Sequence, residues 1–375
     1  MNYFPDAAET GSDWETIDCS EAGFGQEVNA AISHLQDLEI DAPTDLSQML
    51  PRGKRHPFDR PLGPLKPRGK PSGLVLRNGY IVAQYGDVHS AEVTFSVTKS
   101  YISALAGVAS SMGLIGHVND TVGKSVGDGG FDSSQNKQIT WQHMLQQTSE
   151  WEGELFGIPD WIDRGREVGG SATMSKNATV GGSASTSNNY RNLETPGTYW
   201  EYNDVRVNRT SLALLRLFGR PLPAILKEKI MGPIGASGSW QWHGYETSWV
   251  DVDGAQVQSV SGGAHWGGGL WISTLDHARF GLLYLNKGRW KGLQVIPEKW
   301  LEASFTPCDI NPGYGYLWWL NHKQSISDIA DTGAFAARGA GGNIIFSWPA
   351  RDIVIVLRWC EDTKLGIDSI LKTLN

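Results

Sequence analysis

The chain has 375 residues and a formal net charge of −8, from 32 basic and 40 acidic side chains. That length suits one large domain carrying an insertion, and the acidic balance excludes a global attraction to nucleic acid or to anionic membranes. No run reaches the roughly 18 apolar residues of a membrane span, and Met1 to Glu21 has neither a basic nor an apolar leader region, so a cytoplasmic protein is expected. Cys19, Cys308 and Cys360 are far apart and lack metal spacing, which predicts isolated thiols rather than a disulfide framework.

In chain order, Val28, Ile32, Leu35 and Leu38 recur at helical spacing and predict an amphipathic helix over Ala22 to Ile40. Asp41 to Ser72 is the one basic stretch, with Arg52, Lys54, Arg55, Arg60, Lys66, Arg68 and Lys70, and is read as a solvated loop. Two apolar runs then flank Asn78-Gly79, the dipeptide of a tight two-residue hairpin.

Phe95-Ser96-Val97-Thr98-Lys99-Ser100 follows at the head of a long apolar helical run, in which Val97, Tyr101, Leu105, Val108 and Met112 share one face. Lys99, three residues after Ser96, falls on the same side of that helix and can approach the Ser96 hydroxyl. A serine needs a base to become a nucleophile, and a lysine can serve when its surroundings leave it neutral. Ser-x-x-Lys is a loose pattern and occurs twice more, at Ser134 to Lys137 in a polar segment and at Ser369 to Lys372 beside the C-terminus; neither is set for a walled site.

The centre of the chain holds rival motifs. Gly123-Lys124-Ser125 fails as a phosphate loop because Val118 stands where a glycine is required. Gly123-Lys124-Ser125-Val126-Gly127 matches a nucleophile elbow, but Asp128-Gly129-Gly130 follows where a helix should begin. Gly169 to Asn189 is nearly all small and polar, and predicts a surface excursion. Val205 to Phe218 reads as a helix, and eight of the 16 tryptophans lie between Trp151 and Trp271, either as packing or as an aromatic cleft wall. The nine histidines contain no His-x-x-x-His pair, so no metal site is expected; His265, beside Trp266 and Gly267 to Gly269, is the one of most interest.

Near the C-terminus, Asn343 to Trp348 and Ile353 to Trp359 flank Pro349 to Asp352 as a second hairpin, and Thr363 to Leu374 predicts a closing helix. Strands at both ends with helix and loop between them indicate an α+β fold. Residues 1–120 and 255–375 would together form the sheet domain, and residues 121–254 a mainly helical insertion bearing the 169–189 loop.

Two further stretches complete a pattern with Ser96 and Lys99. Gly197-Thr198-Tyr199-Trp200-Glu201-Tyr202-Asn203-Asp204 resembles the tyrosine-bearing second motif of serine β-lactamase-like hydrolases, and Phe335 to Gly342 resembles their third. Ile139 to Ser149 and Gly267 to Thr274, with Asp276, Ala278 and Arg279, are similar to the connecting segments, so the resemblance spans about residues 70 to 360. The family includes class C β-lactamases, D-alanyl-D-alanine peptidases, carboxylesterases and 6-aminohexanoate-dimer hydrolases. The resemblance implies a β-lactamase/transpeptidase-like fold, a central antiparallel sheet flanked by helices, and no cofactor. It makes Ser96 the acylated nucleophile, has Lys99 and Tyr202 share the proton transfers, and gives the oxyanion to the N–H groups of Ser96 and Ala340. Asp204, Arg338, Gly339, Trp151, Trp200, His265 and Trp266 would meet the substrate.

The departures matter: Asp204 replaces an amide, and Ala337 replaces the Lys or His that helps hold a β-lactam. Arg338 stands next to that gap, although strand alternation would turn it to the other face. The expected activity is hydrolysis of small ester or amide bonds. Action on amide oligomers or weakly on β-lactams is one alternative, a non-catalytic ligand-binding protein on the same fold is a second, and a hydrolase built on Ser125 is a third.

Overall fold

The computed structural model describes residues 2–11, 13–46, 62–64, 66–164, 191–265 and 267–375. The 169–189 stretch, Trp266 and half of the basic run lie outside them. Asn78 and Gly79 both take positive φ, 50° and 86°, which lets Ser72–Arg77 turn directly into Tyr80–Tyr85. Asn343–Trp348 and Ile353–Arg358 pair through a turn closed by Asp352 at φ 49°.

These hairpins join edge to edge, Ser72–Arg77 running antiparallel to Ile353–Arg358. With Phe335–Gly339 and Trp319–Leu320 they form one six-stranded antiparallel sheet from the two ends of the chain. The Ile353–Arg358 strand is apolar at almost every position because both faces are covered. Val354 and Val356 face a core shared with the Ser96 helix and Thr274–Leu285, while Ile353, Ile355 and Leu357 face a second core under Glu27–Leu35 and Thr363–Leu371.

Two expectations are corrected. The first helix is shorter than its periodicity suggested, Glu27–Leu35, because the chain then turns so that the Ile40 N–H bonds the Trp359 carbonyl. Of the basic run, Arg68 is buried rather than solvated: it bonds Glu39 at 2.8 Å and the carbonyls of Ile40 and Ala42.

A small three-stranded sheet, Glu92–Val93, Gly269–Ile272 and Gln241–His243, carries the chain into the Ser96 turn. Arg358, fully buried at the end of its strand, joins the two sheets by donating to the carbonyls of Glu92, Val93 and Ile272 and to Asn343 Oδ1. Burial pushes its guanidinium down to about 10, offset in part by Glu92.

Backbone must approach the Ser96 turn closely from two sides, and glycine permits it. A Cβ on Gly339 would lie 2.2 Å from Thr94 O and 3.2 Å from Ser96 N; one on Gly263, at φ 95°, would lie 2.0 Å from Phe95 O. Gly263→Ala is therefore expected to cost about 1–3 kcal/mol in denaturant melts. It should also lower any activity that depends on Ser96, because the collision is with that turn's own backbone.

Candidate active site

Phe95–Val97 is a 3₁₀ turn continued by the α-helix Thr98–Ser111. Phe95 enters it at φ 49°, a left-handed conformation that costs a non-glycine residue about 1 kcal/mol and is held by packing of its ring edge-on against Trp359. The bend leaves Ser96 half-buried while its neighbours from Val93 to Phe95 and from Val97 to Ala109 are buried.

Lys99 sits one turn on, 1% exposed. Its Nζ lies 2.7 Å from Ser96 Oγ, 3.1 Å from the Gly262 carbonyl and 2.7 Å from Asp204 Oδ1, and 4.9 Å from the centre of the Tyr202 ring. Two of these oxygens, the carbonyl and the carboxylate, can only accept a proton. Ser96 is the one oxygen neighbour of the three that can give one to a neutral amine.

Tyr202 is held by the chain on either side of it. Gln147 accepts from the Glu201 N–H through its carbonyl and from the Asn203 N–H through its side chain, and donates to Tyr314 Oη at 2.9 Å. Asn203 caps the helix Asp204–Phe218 by accepting from the Arg206 N–H. The Tyr202 ring stacks on Trp319 at 5.7 Å, and Tyr314 and Trp200 meet it edge-on or tilted, so Tyr202 stands in a wall of aromatic rings.

The helix expected over Val205 to Phe218 runs from Asp204 to Phe218, and every residue from Asp204 to Leu215 is buried. Several of its charged and polar residues meet partners from other segments. Arg206 meets Glu150 at 2.6 Å, Glu201 at 3.1 Å and Asp160 at 3.2 Å. Arg191 meets Glu150 and Glu201 from the other side, and Arg164 meets Asp160. Burial alone would raise the Glu150 carboxyl, but the hydrogen bonds and charges of Arg191 and Arg206 outweigh it and hold the group below its ordinary value.

Behind Asp204, its own N–H donates to Asp163 Oδ2 at 3.0 Å, and Asp163 Oδ1 accepts from His265 Nδ1 at 3.0 Å. One oxygen or nitrogen from each of Asp163, Asp204 and His265 lies within 4.8 Å of the others. Two of the trio already have near partners: Asp204 Oδ1 lies 2.7 Å from Lys99 Nζ, and Asp163 Oδ1 lies 3.0 Å from His265 Nδ1.

Arg338 differs from the face that strand alternation suggested. Its guanidinium sits 5.7 Å over the Trp319 ring, the ring that stacks on Tyr202. Burial pushes it below the ordinary arginine value, and Tyr202 pulls it back. Among the described residues it has no hydrogen bond or ion pair. Gly339 abuts Ser96 N, and Ala340 follows it, its carbonyl bonded by Asn343 Nδ2 at 2.6 Å. Trp200 lies by Tyr202, whereas Trp151 is buried with Nε1 on the Gly130 carbonyl and Nε of Arg206 on its own carbonyl. His265 is buried behind Asp163. The rival Ser125 is exposed at the end of a 3₁₀ turn with no strand before it. Sequence reasoning missed Asp163, Asn208, Gly262 and Trp319; only Asn208, four residues after Asp204 on one helix face, left a readable signal.

A family model described as Beta-lactamase matches residues 87–359. The chain belongs to the beta-lactamase family. Its fold is similar to that of solved structures: a provisionally assigned 6-aminohexanoate-dimer hydrolase from Bacillus anthracis is 17% identical with a TM-score of 0.54, over 96% of this chain and 97% of that one. A family VIII carboxylesterase is 15% identical with a TM-score of 0.54, over 81% and 91%. An octameric penicillin-binding protein homologue from Pyrococcus abyssi is 16% identical with a TM-score of 0.53, over 81% and 71%. No curated protein matches the chain in sequence. Among the described residues, no helix is long and apolar enough to cross a membrane.

The ionic cluster around Arg206 carries a stability prediction. Arg206→Ala leaves buried Glu150 and Glu201 short of a cation and is expected to cost about 3–5 kcal/mol at neutral pH. A carboxyl held low in the fold stabilises above its unfolded value, about 4.3, and loses that contribution as pH falls through the folded one. Denaturant melts should thus show the gap between variant and wild type narrowing below about pH 4.

Proposed function

We propose that the protein is a serine hydrolase that opens small ester or amide bonds through an acyl-enzyme on Ser96. The observation that carries this is the 2.7 Å contact between Ser96 Oγ and the buried Lys99 Nζ, with Tyr202 beside the same nitrogen. In the amine form, Lys99 takes the Ser96 proton as Oγ attacks the substrate carbonyl carbon. The negative charge on the carbonyl oxygen falls to the N–H groups of Ser96 and Ala340, which the close approach of Gly339 to Ser96 N supports. Collapse breaks the bond to the leaving group, which takes a proton from Tyr202, and Lys99 reprotonates Tyr202. Water then attacks the acyl-enzyme, loses a proton to the same pair, and restores the Ser96 hydroxyl.

The surroundings favour esters or simple amides over β-lactams. Asp204 is engaged with Lys99 at 2.7 Å, and Ala337 is buried in the sheet, so neither presents the amide or cation used to grip a β-lactam. Arg338 offers a cation instead, on the aromatic wall of Tyr202 and Trp319. We assign the substrate an apolar part against that wall and an anionic group toward Arg338.

Brief exposure to a fluorophosphonate, followed by intact mass and peptide mapping, should give one adduct on Ser96; Ser96→Ala should give none and remain folded. An adduct on Ser125 instead would overturn the assignment. For Arg338→Met, KM for an ester bearing a distal carboxylate should rise about tenfold or more with kcat nearly unchanged, and KM for the matching neutral ester should hold. Equal effects on both esters would refute the anionic subsite.

A further inference from the structure

Resting on the reading of Lys99 as the base for Ser96, the geometry points to a further role: His265 is a positioning residue that fixes Lys99 from two directions. A closed ring of contacts carries this. Lys99 Nζ meets Asp204 Oδ1 at 2.7 Å, and the Asp204 N–H donates to Asp163 Oδ2 at 3.0 Å. Asp163 Oδ1 accepts from His265 Nδ1 at 3.0 Å, and the His265 carbonyl accepts from Asn208 Nδ2 at 3.2 Å. Asn208 Oδ1 accepts from the Gly262 N–H at 2.7 Å, and the Gly262 carbonyl accepts from Lys99 at 3.1 Å, where the ring closes.

His265 is the one residue of this ring whose side chain serves the helix arm while its main chain serves the loop arm. Through Asp163 it fixes the first turn of the Asp204–Phe218 helix, hence where the Asp204 carboxylate stands. Its carbonyl, together with that of Ala264, holds the Asn208 amide, whose Oδ1 in turn holds the loop that carries the Gly262 carbonyl to Lys99. An imidazole suits this double duty because Nδ1 lies close to its own backbone. The position is also strained: His265 is 4% exposed and takes φ 36°, a conformation that persists in a non-glycine residue only where its surroundings over-determine it. Gly263, two residues before it, touches the Phe95–Ser96 peptide, so a shift of this loop would move nucleophile and base together. Displacing a base by about 1 Å can cost about a hundredfold in rate without weakening substrate binding.

The test compares wild type, His265→Ala, His265→Asn and Asp163→Asn by thermal melting, by the rate of fluorophosphonate adduct formation on Ser96, and by kcat and KM for a neutral ester. His265→Ala should slow adduct formation and kcat about 10- to 100-fold with KM within about twofold of wild type. His265→Asn, which keeps a donor near Asp163 and tolerates positive φ, should recover most of that rate. Asp163→Asn is nearly isosteric and keeps a fold if His265→Ala does not; it should lose about tenfold in kcat with KM unchanged. Wild-type rates in both His265→Ala and Asp163→Asn would overturn the proposal, as would a raised KM at constant kcat, which would make His265 a substrate contact. Stimulation of the wild type by added Zn²⁺ or Mn²⁺ that His265→Ala abolishes would also overturn it, in favour of a cation site. Failure of the wild type itself to form a Ser96 adduct would instead refute the hydrolase reading.

Discussion

A lysine nitrogen almost wholly removed from water is the constraint around which this molecule is arranged. Burying an unpaired ammonium costs several kcal/mol even after relaxation, so the fold must bring partners to Lys99. It brings the Ser96 hydroxyl from one turn earlier, the Asp204 carboxylate from the head of a helix and the Gly262 carbonyl from a glycine-rich loop. Three segments, at residues 96, 204 and 262, thus converge on one atom. The geometry that makes the burial tolerable is also the geometry that presents an amine to a serine.

The same logic propagates outward. Asp204 can serve Lys99 only because the helix behind it is buried on all sides and locked by its own charges. Arg206 holds Glu150, Glu201 and Asp160 around that helix's first turn, and Glu201 is the neighbour of Tyr202. Such clusters are weak evidence for net stability, since hydrophobic side chains of equal volume often do as well. Their use here is positional: a carboxylate committed to two arginines has one placement, and so does the chain that bears it.

On the other side, the Ser96 turn is compressed between glycine backbones and tied to both sheets through Arg358. That arginine also holds Asn343, which in turn bonds the Ala340 carbonyl. The strand end facing Ser96 is therefore set by a buried side chain on the neighbouring strand rather than by the motif residues themselves. Membership of the beta-lactamase family supplies the frame.

Local physics was readable from the sequence. Asn78-Gly79 announced its hairpin because few dipeptides tolerate two positive φ angles, and Ser96 to Lys99 announced a contact because three residues make about one helical turn. The family resemblance, resting on the order of Tyr202, Gly339 and the segments between, supplied the antiparallel sheet. What tertiary structure alone decided were meetings between distant segments: Asp163 with His265, Asn208 with Gly262, and the guanidinium of Arg338 over Trp319. Strand alternation gave the direction of the Arg338 backbone, but a long flexible side chain at a strand end can lie along an aromatic neighbour. Burial likewise escaped the sequence for Arg68 and for the polar face of the Asp204 helix, because whether a charge sits in water depends on what the rest of the chain packs against it.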